Sequence, residues 1–122
     1  TLSPIPLFQS WLKNEGAKIT MKENNNLSKL VAFYILNGKR DDGLPFDPVA
    51  RFHLGNGAQV HAVHENADIS EKGINQSQGM MVNYLYDPSM IGINHEKFVS
   101  ENIIPASNEI ISLSKSAVKI DW

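Results

Sequence analysis

The sequence of 122 residues contains no cysteine, which excludes disulfide bridges, thiolate nucleophiles and cysteine-based zinc sites. It also lacks any apolar run close to the ~20 residues that a membrane helix needs, so we expect no membrane partner. Neither sign of charge dominates, because the chain has 11 Lys and Arg and 13 Asp and Glu, which gives a net charge of -2. The basic residues are scattered, and we therefore expect no nucleic-acid partner.

What the chain does contain is enough apolar material for a core. At 42% hydrophobic, 122 residues suit one compact domain or a piece of one. No charged and apolar leader is recognisable, so we expect a cytoplasmic protein, with the mitochondrial matrix as the alternative. Candidate functional residues occur from the first positions of the chain onward, so we allow for the possibility that the sequence is incomplete.

Apolar residues at helical spacing predict several helices. One helix follows Leu7 and stops at Gly16, and a clearer one carries Leu27, Leu30, Val31, Tyr34 and Ile35 and ends at Asn37-Gly38. Asp47-Pro48 is an N-cap followed by proline at the first helical position, which predicts a short helix over 49–54 that ends at 55–57. His53 would then lie in its last turn. Two further helices are predicted over 94–101 and 107–118.

Two segments, 58–63 and 80–86, are rich in residues that favour β-strands. The polar stretch 70–78 between them predicts a loop or one helical turn. The prolines after Ser3 suit the exit from a strand or the first turn of a helix, and with the helix that follows Leu7 we expect Ser3 at or just before a helix N-terminus. Helices mixed with a few strands indicate an α/β or α+β layer structure.

Three stretches carry a family resemblance: LSPIP at 2–6, followed by Phe8 and Trp11; DPVARFHLGNGA at 47–58; and GMMVNYLY at 79–86. Together they resemble the malonyl-CoA decarboxylase family. The resemblance implies that residues 1–122 form the C-terminal portion of the catalytic domain. It also implies part of an acyl-CoA N-acyltransferase (GNAT)-like fold, a mixed sheet flanked by helices. The family's helical N-terminal domain and its loop for the CoA pyrophosphate are expected to be absent from this chain.

The resemblance implies an activity and its residues. The expected enzyme is a carboxy-lyase that converts malonyl-CoA to acetyl-CoA and CO2 without cofactor or metal, and that forms a homo-oligomer in the full-length family. Its catalytic residues correspond to Ser3, the proton acceptor, and His53, the proton donor. We expect Ser3 and His53 also to contact malonyl-CoA, together with Asn56 and Tyr86. His64-Glu65 departs from the Asn-Trp common in relatives, which puts local packing or a substrate contact in doubt.

The chemistry is consistent with such a pair of residues. The thioester carbonyl can accept the electron pair released as CO2 departs, and the resulting enolate needs hydrogen-bond donors and an acid. Histidine suits the acid role, and a position near a helix C-terminus favours its imidazolium form. We therefore predict that Ser3 and His53 lie in direct or one-water contact across a shared cleft.

Other interpretations of these residues remain open. From local sequence alone, Ser3 is most often a helix cap and His53 a packed core residue. Asn56, between two glycines, is typical of a turn residue that tolerates positive φ, and Tyr86 of a structural tyrosine. His61 and His64 form H-x-x-H without a third ligand, so we predict no metal there.

Three functions also remain open. A decarboxylase is the leading hypothesis, and an acyl-CoA acyltransferase is the alternative on the same fold. The third is a truncated, inactive fragment that binds acyl-CoA or supports oligomerisation.

Overall fold

The computed structural model describes residues 1–14 and 26–121, with side chains as far as residue 117. A three-stranded sheet is flanked by helices in these residues. The strands are β1 (Leu2–Ser3), β2 (Gln59–His64) and β3 (Met81–Leu85). The helices are α1 (Phe8–Asn14), α2 (Leu27–Asn37), α3 (Pro48–Gly55), α4 (Glu71–Ser77), α5 (Ile91–Glu101) and α6 (Asn108–Asp121). None of the helices in the described ranges is long and apolar enough to cross a membrane.

The sheet has the order β1-β3-β2, and both pairings are antiparallel. Ser3 pairs with Val82, which joins the first residues of the chain to the central strand. On the other side, Val60 forms a parallel bridge with Ala106, so both kinds of pairing occur. The sheet therefore brings residues close to the start of the chain beside residues about 80 positions later.

The core lies between the sheet and the helices. α2 and α6 pack against each other and against β2, which contributes the buried Val60. Tyr34 of α2 lies in an aromatic cluster, with its ring 5.5 Å from that of Phe8 and 4.9 Å from that of Trp11. The apolar residues of α2 at i, i+3 and i+4 spacing thus face the core, as expected of an amphipathic helix.

Most predicted elements are confirmed, with some shifts. α2 ends at Asn37 with Gly38 as C-cap, and Asp47 caps α3, as expected. The predicted loop or single turn at 70–78 is instead the seven-residue helix α4, capped by Ser70, whose hydroxyl accepts from the Gly73 N–H. The expected position of Ser3 at or just before a helix N-terminus is wrong: Ser3 lies in a strand, five positions before α1, because its backbone pairs with β3. The predicted stop at Gly16 lies outside the described residues.

Candidate active site

Ser3 and His53 are in direct contact although 50 positions separate them: Oγ lies 2.9 Å from Nε2. Both side chains are nearly out of contact with solvent, at 4% exposure for Ser3 and 8% for His53. The predicted proximity of the two side chains is confirmed, while their catalytic role stays a prediction. A buried hydroxyl and imidazole in contact can exchange or relay a proton.

The position of Ser3 follows from the β1–β3 pairing. The two residues of β1 pair with Asn83 and Val82, and the amide of Tyr84 donates to the carbonyl of Thr1 at 2.8 Å. Successive side chains of a strand point to opposite faces, so Leu2 is half exposed and Ser3 is buried. The backbone ladder, not a helix cap, directs the hydroxyl inward.

The position of His53 follows from both ends of α3. At the N-terminus, the buried Asp47 carboxylate accepts from the Ala50 N–H at 2.8 Å. At the C-terminus, His95 and Asn94 of α5 donate to the carbonyls of Gly55 and Gly57, at 2.8 and 3.3 Å. Since a helix leaves its last carbonyls without partners inside the helix, these contacts from α5 stabilise the turn beside His53. The sequence predicted a helix over 94–101 but not these contacts with the turn.

Two tyrosines contact the imidazole of His53, Tyr84 of β3 and Tyr86 just after that strand. The Tyr84 ring stacks on it, with centroids 4.4 Å apart and planes 24° from parallel. The Tyr86 hydroxyl lies 2.5 Å from Nδ1 of His53. Tyr84 was not a predicted site residue, and its i, i+2 spacing from the predicted Tyr86 was the signal that could have found it. Within the described residues, the buried Tyr84 hydroxyl has no hydrogen-bond partner.

The electrostatics of His53 differ from the expectation. Burial lowers the pKa of the His53 imidazole below its usual 6.5. This shift is opposite in direction to the one expected from the helix C-terminus, because loss of hydration disfavours the charged ring. At pH 7 the neutral ring predominates, with a single N–H to share between Ser3 and Tyr86.

Asn56 lies next to this site, and its side-chain amide Nδ2 donates to the Phe52 carbonyl at 2.8 Å. Its φ is -97°, and the positive φ expected there occurs at Gly57 instead, at 88°. The turn depends on that glycine. The substrate contact of Asn56 stays a prediction. Among the described side chains of residues 1–14 and 26–117, no three His, Asp or Glu side chains are grouped as metal ligands.

Replacing Asp47 by Asn is expected to remove a pH dependence of stability. Burial raises the pKa of the Asp47 carboxyl from 3.8 to about 6, so the folded protein binds this proton more tightly than the unfolded chain. Stability therefore falls as pH rises from about 4 to 6. Asparagine retains an N-cap acceptor without the charge. The variant should match the parent at pH 4 and exceed it by about 1–3 kcal/mol at pH 7 in urea denaturation. A variant that is less stable than the parent at pH 7 contradicts this.

A family model described as the malonyl-CoA decarboxylase C-terminal domain matches residues 15–121. The chain belongs to the malonyl-CoA decarboxylase family. The matched residues include His53, Asn56 and Tyr86 but begin after Ser3. The assignment of Ser3 therefore depends on its contact with His53 and on the LSPIP resemblance.

Curated relatives agree with this family. The chain is 40% identical over 103 residues to mitochondrial malonyl-CoA decarboxylase of Mus musculus, a match that covers 84% of this chain and 20% of the relative. It is 35% identical over 112 residues to mitochondrial malonyl-CoA decarboxylase of Anser anser anser, a match that covers 92% of this chain and 22% of the relative. The chain thus spans about a fifth of the length of these relatives.

Solved structures of malonyl-CoA decarboxylases share the fold. The crystal structure from Rhodopseudomonas palustris aligns at a TM-score of 0.82 and 35% identity, over 93% of this chain and 32% of that one. The crystal structure from Agrobacterium vitis aligns at a TM-score of 0.80 and 31% identity, and the alignment covers 93% of this chain and 34% of that one. The chain therefore has the expected α/β architecture, part of a GNAT-like fold with helices flanking the sheet.

The departure from the family pattern at His64-Glu65 lies away from the core. His64 ends β2, opposite Met81, and both His64 and Glu65 are exposed. The two side chains therefore do not contribute to the buried packing that holds Ser3 and His53 together.

Proposed function

We propose that this chain is the C-terminal portion of a malonyl-CoA decarboxylase catalytic domain that converts malonyl-CoA to acetyl-CoA and CO2. The observation that carries the proposal is the buried contact of 2.9 Å between Ser3 Oγ and His53 Nε2 in a chain of this family. The proposal places the helical N-terminal domain and the residues that bind the CoA pyrophosphate outside these 122 residues.

In the proposed reaction, the bond between the carboxylate carbon and the α-carbon breaks, CO2 leaves, and the electron pair enters the thioester as an enolate. A C–H bond then forms at the α-carbon with a proton from His53, which regains one from solvent. Each turnover thus consumes one proton. The Ser3 hydroxyl donates to the substrate and relays the proton, and the low exposure of both side chains strengthens these interactions.

The compartment and the assembly are part of the proposal. The names of the curated relatives from Mus musculus, Rattus norvegicus and Anser anser anser include the word mitochondrial, which supports the matrix alternative over the cytoplasm. The homo-oligomer expected from the resemblance is testable by analytical ultracentrifugation of the full-length protein. A single species with the mass of one chain contradicts that part.

The activity is tested on the full-length protein that contains this chain. Malonyl-CoA labelled at its free carboxyl carbon should release labelled CO2 and leave acetyl-CoA, at the same rate with a chelator as without it. Amines supplied as acceptors should remain unacylated. Amine acylation without CO2 release would instead support the acyltransferase alternative. Binding of malonyl-CoA with neither reaction would support an acyl-CoA-binding module.

A further inference from the structure

Both ring nitrogens of His53 have hydroxyl partners. Nε2 lies 2.9 Å from Ser3 Oγ, and Nδ1 lies 2.5 Å from the Tyr86 hydroxyl. A neutral imidazole has one N–H, so one nitrogen donates and the other accepts. The partner of one nitrogen therefore decides on which nitrogen the proton sits.

Tyr86 is the stronger donor of the two partners. A phenol, with an ordinary pKa of about 10, is more acidic than an aliphatic hydroxyl and donates more strongly. Burial raises the pKa of Tyr86 further, so its hydroxyl keeps its proton throughout the physiological range. The Ser3 hydroxyl donates or accepts with similar ease. The favoured arrangement has Tyr86 O–H donating to Nδ1, Nε2–H donating to Ser3 Oγ, and the Ser3 proton free to face substrate.

We propose that Tyr86 is a positioning residue that holds His53 in the tautomer with its proton on Nε2, directed at Ser3. This inference rests on the proposed decarboxylation. A carboxylate at Nδ1 imposes the opposite tautomer, in which Nε2 takes a proton from a nucleophilic serine. A phenol at the same place prepares Nε2 to give a proton instead. Ser3 then acts as a hydrogen-bonding group, without forming an acyl-enzyme.

The same contact assists proton donation. As Nε2 gives its proton toward the enolate carbon, negative charge develops on the ring and Nδ1 becomes a stronger acceptor. The hydrogen bond from Tyr86 strengthens as that charge grows, because bonds to charged acceptors are stronger than neutral ones. Tyr86 therefore stabilises the transition state more than the bound substrate, and its loss should lower the turnover number more than it changes KM.

Tyr86→Phe removes the hydroxyl and retains the ring, and Tyr34→Phe is the matched control. The Tyr34 hydroxyl contacts Asp47 at 3.4 Å, not His53. In the full-length protein, Tyr86→Phe should lower kcat about 3- to 10-fold, with KM within about twofold, the difference between a hydrogen bond to a charged acceptor and one to a neutral acceptor. Tyr34→Phe should keep kcat within about twofold of the parent. A loss in Tyr34→Phe as large as that in Tyr86→Phe would overturn the assignment.

Nuclear magnetic resonance of the ¹⁵N-histidine-labelled full-length protein reads the tautomer directly. His53 is assigned by the signals that His53→Asn removes. We expect a proton on Nε2 in the parent and in Tyr34→Phe, and a mixture of both tautomers in Tyr86→Phe. A proton on Nδ1 in the parent, or an unchanged tautomer in Tyr86→Phe, would overturn the role of Tyr86. Absence of decarboxylation by the parent would overturn the proposed function, while the tautomer still decides the role of Tyr86 independently.

Discussion

Replacing His53 by Asn in the full-length protein is expected to lower kcat for decarboxylation by about 10²–10⁴-fold, the usual cost of losing a general acid. KM should change little, because imidazole acts as charge develops on the enolate, whereas most ground-state affinity comes from CoA contacts elsewhere. Asparagine lacks the acidic N–H group that His53 directs at Ser3 through Nε2. Steady-state measurement of CO2 release against malonyl-CoA concentration separates the two parameters.

His61→Asn is the matched control for this prediction, since His61 is exposed on β2. It should retain the parent's kcat and KM within about twofold, as surface substitutions usually do. Ser3→Ala should act like His53→Asn, and the double variant should lose little more than either single one, because residues that act as a unit are not additive. Single variants within twofold of the parent contradict the assignment of the pair.

Replacing Gly57 by Ala is expected to destabilise the protein by about 2–5 kcal/mol, the combined cost of a left-handed conformation and of overpacking. Gly57 has a φ of 88°, which side chains with a Cβ rarely adopt. A Cβ there would lie 2.5 Å from the Ile91 carbonyl oxygen and 2.7 Å from its Cγ2. Because the nearest atom belongs to the backbone, α5 has to move away from the turn that follows His53.

The matched control is Gly55→Ala, two positions earlier in the same segment. A Cβ at Gly55 meets no atom within 4 Å, and Gly55 is not among the glycines with positive φ. Alanine there should be neutral or stabilise by about 0.4–1 kcal/mol, because it restricts the unfolded chain. Urea denaturation of both variants and the parent measures the difference. Equal stabilities of the two variants contradict the role given to Gly57.

The elements that sequence predicted well are those with local signals. The spacing of apolar residues in α2, with its stop at Gly38, and the Asp47-Pro48 start of α3 depend on contacts within a few residues. Predictions failed where the signal was weak or depended on distant residues. α4 is a polar helix with little apolar periodicity, and β1 is too short to show alternation, so its strand identity comes from pairing with β3.

Much of the candidate site was predictable, but through resemblance more than through periodicity. The LSPIP and DPVARFHLGNGA motifs singled out Ser3 and His53 before any contact was known. The stacking of Tyr84 on His53 and the bonds from α5 to the turn after α3 were not predicted. These contacts join segments 30 to 40 positions apart, and no local pattern encodes which side chains meet at such separations.

By itself, the sequence determined the main helices, the absence of cysteine chemistry, the family and the identity of the two candidate catalytic residues. Only the tertiary structure decided that Ser3 lies on a strand, that it contacts His53 through Nε2, and that the Tyr86 hydroxyl contacts the other ring nitrogen, Nδ1. It also decided the direction in which the pKa of His53 shifts, because burial lowers it. The physical reason is that caps and amphipathic spacing act over a few residues, whereas hydrogen-bond geometry and desolvation depend on the atoms that folding brings together.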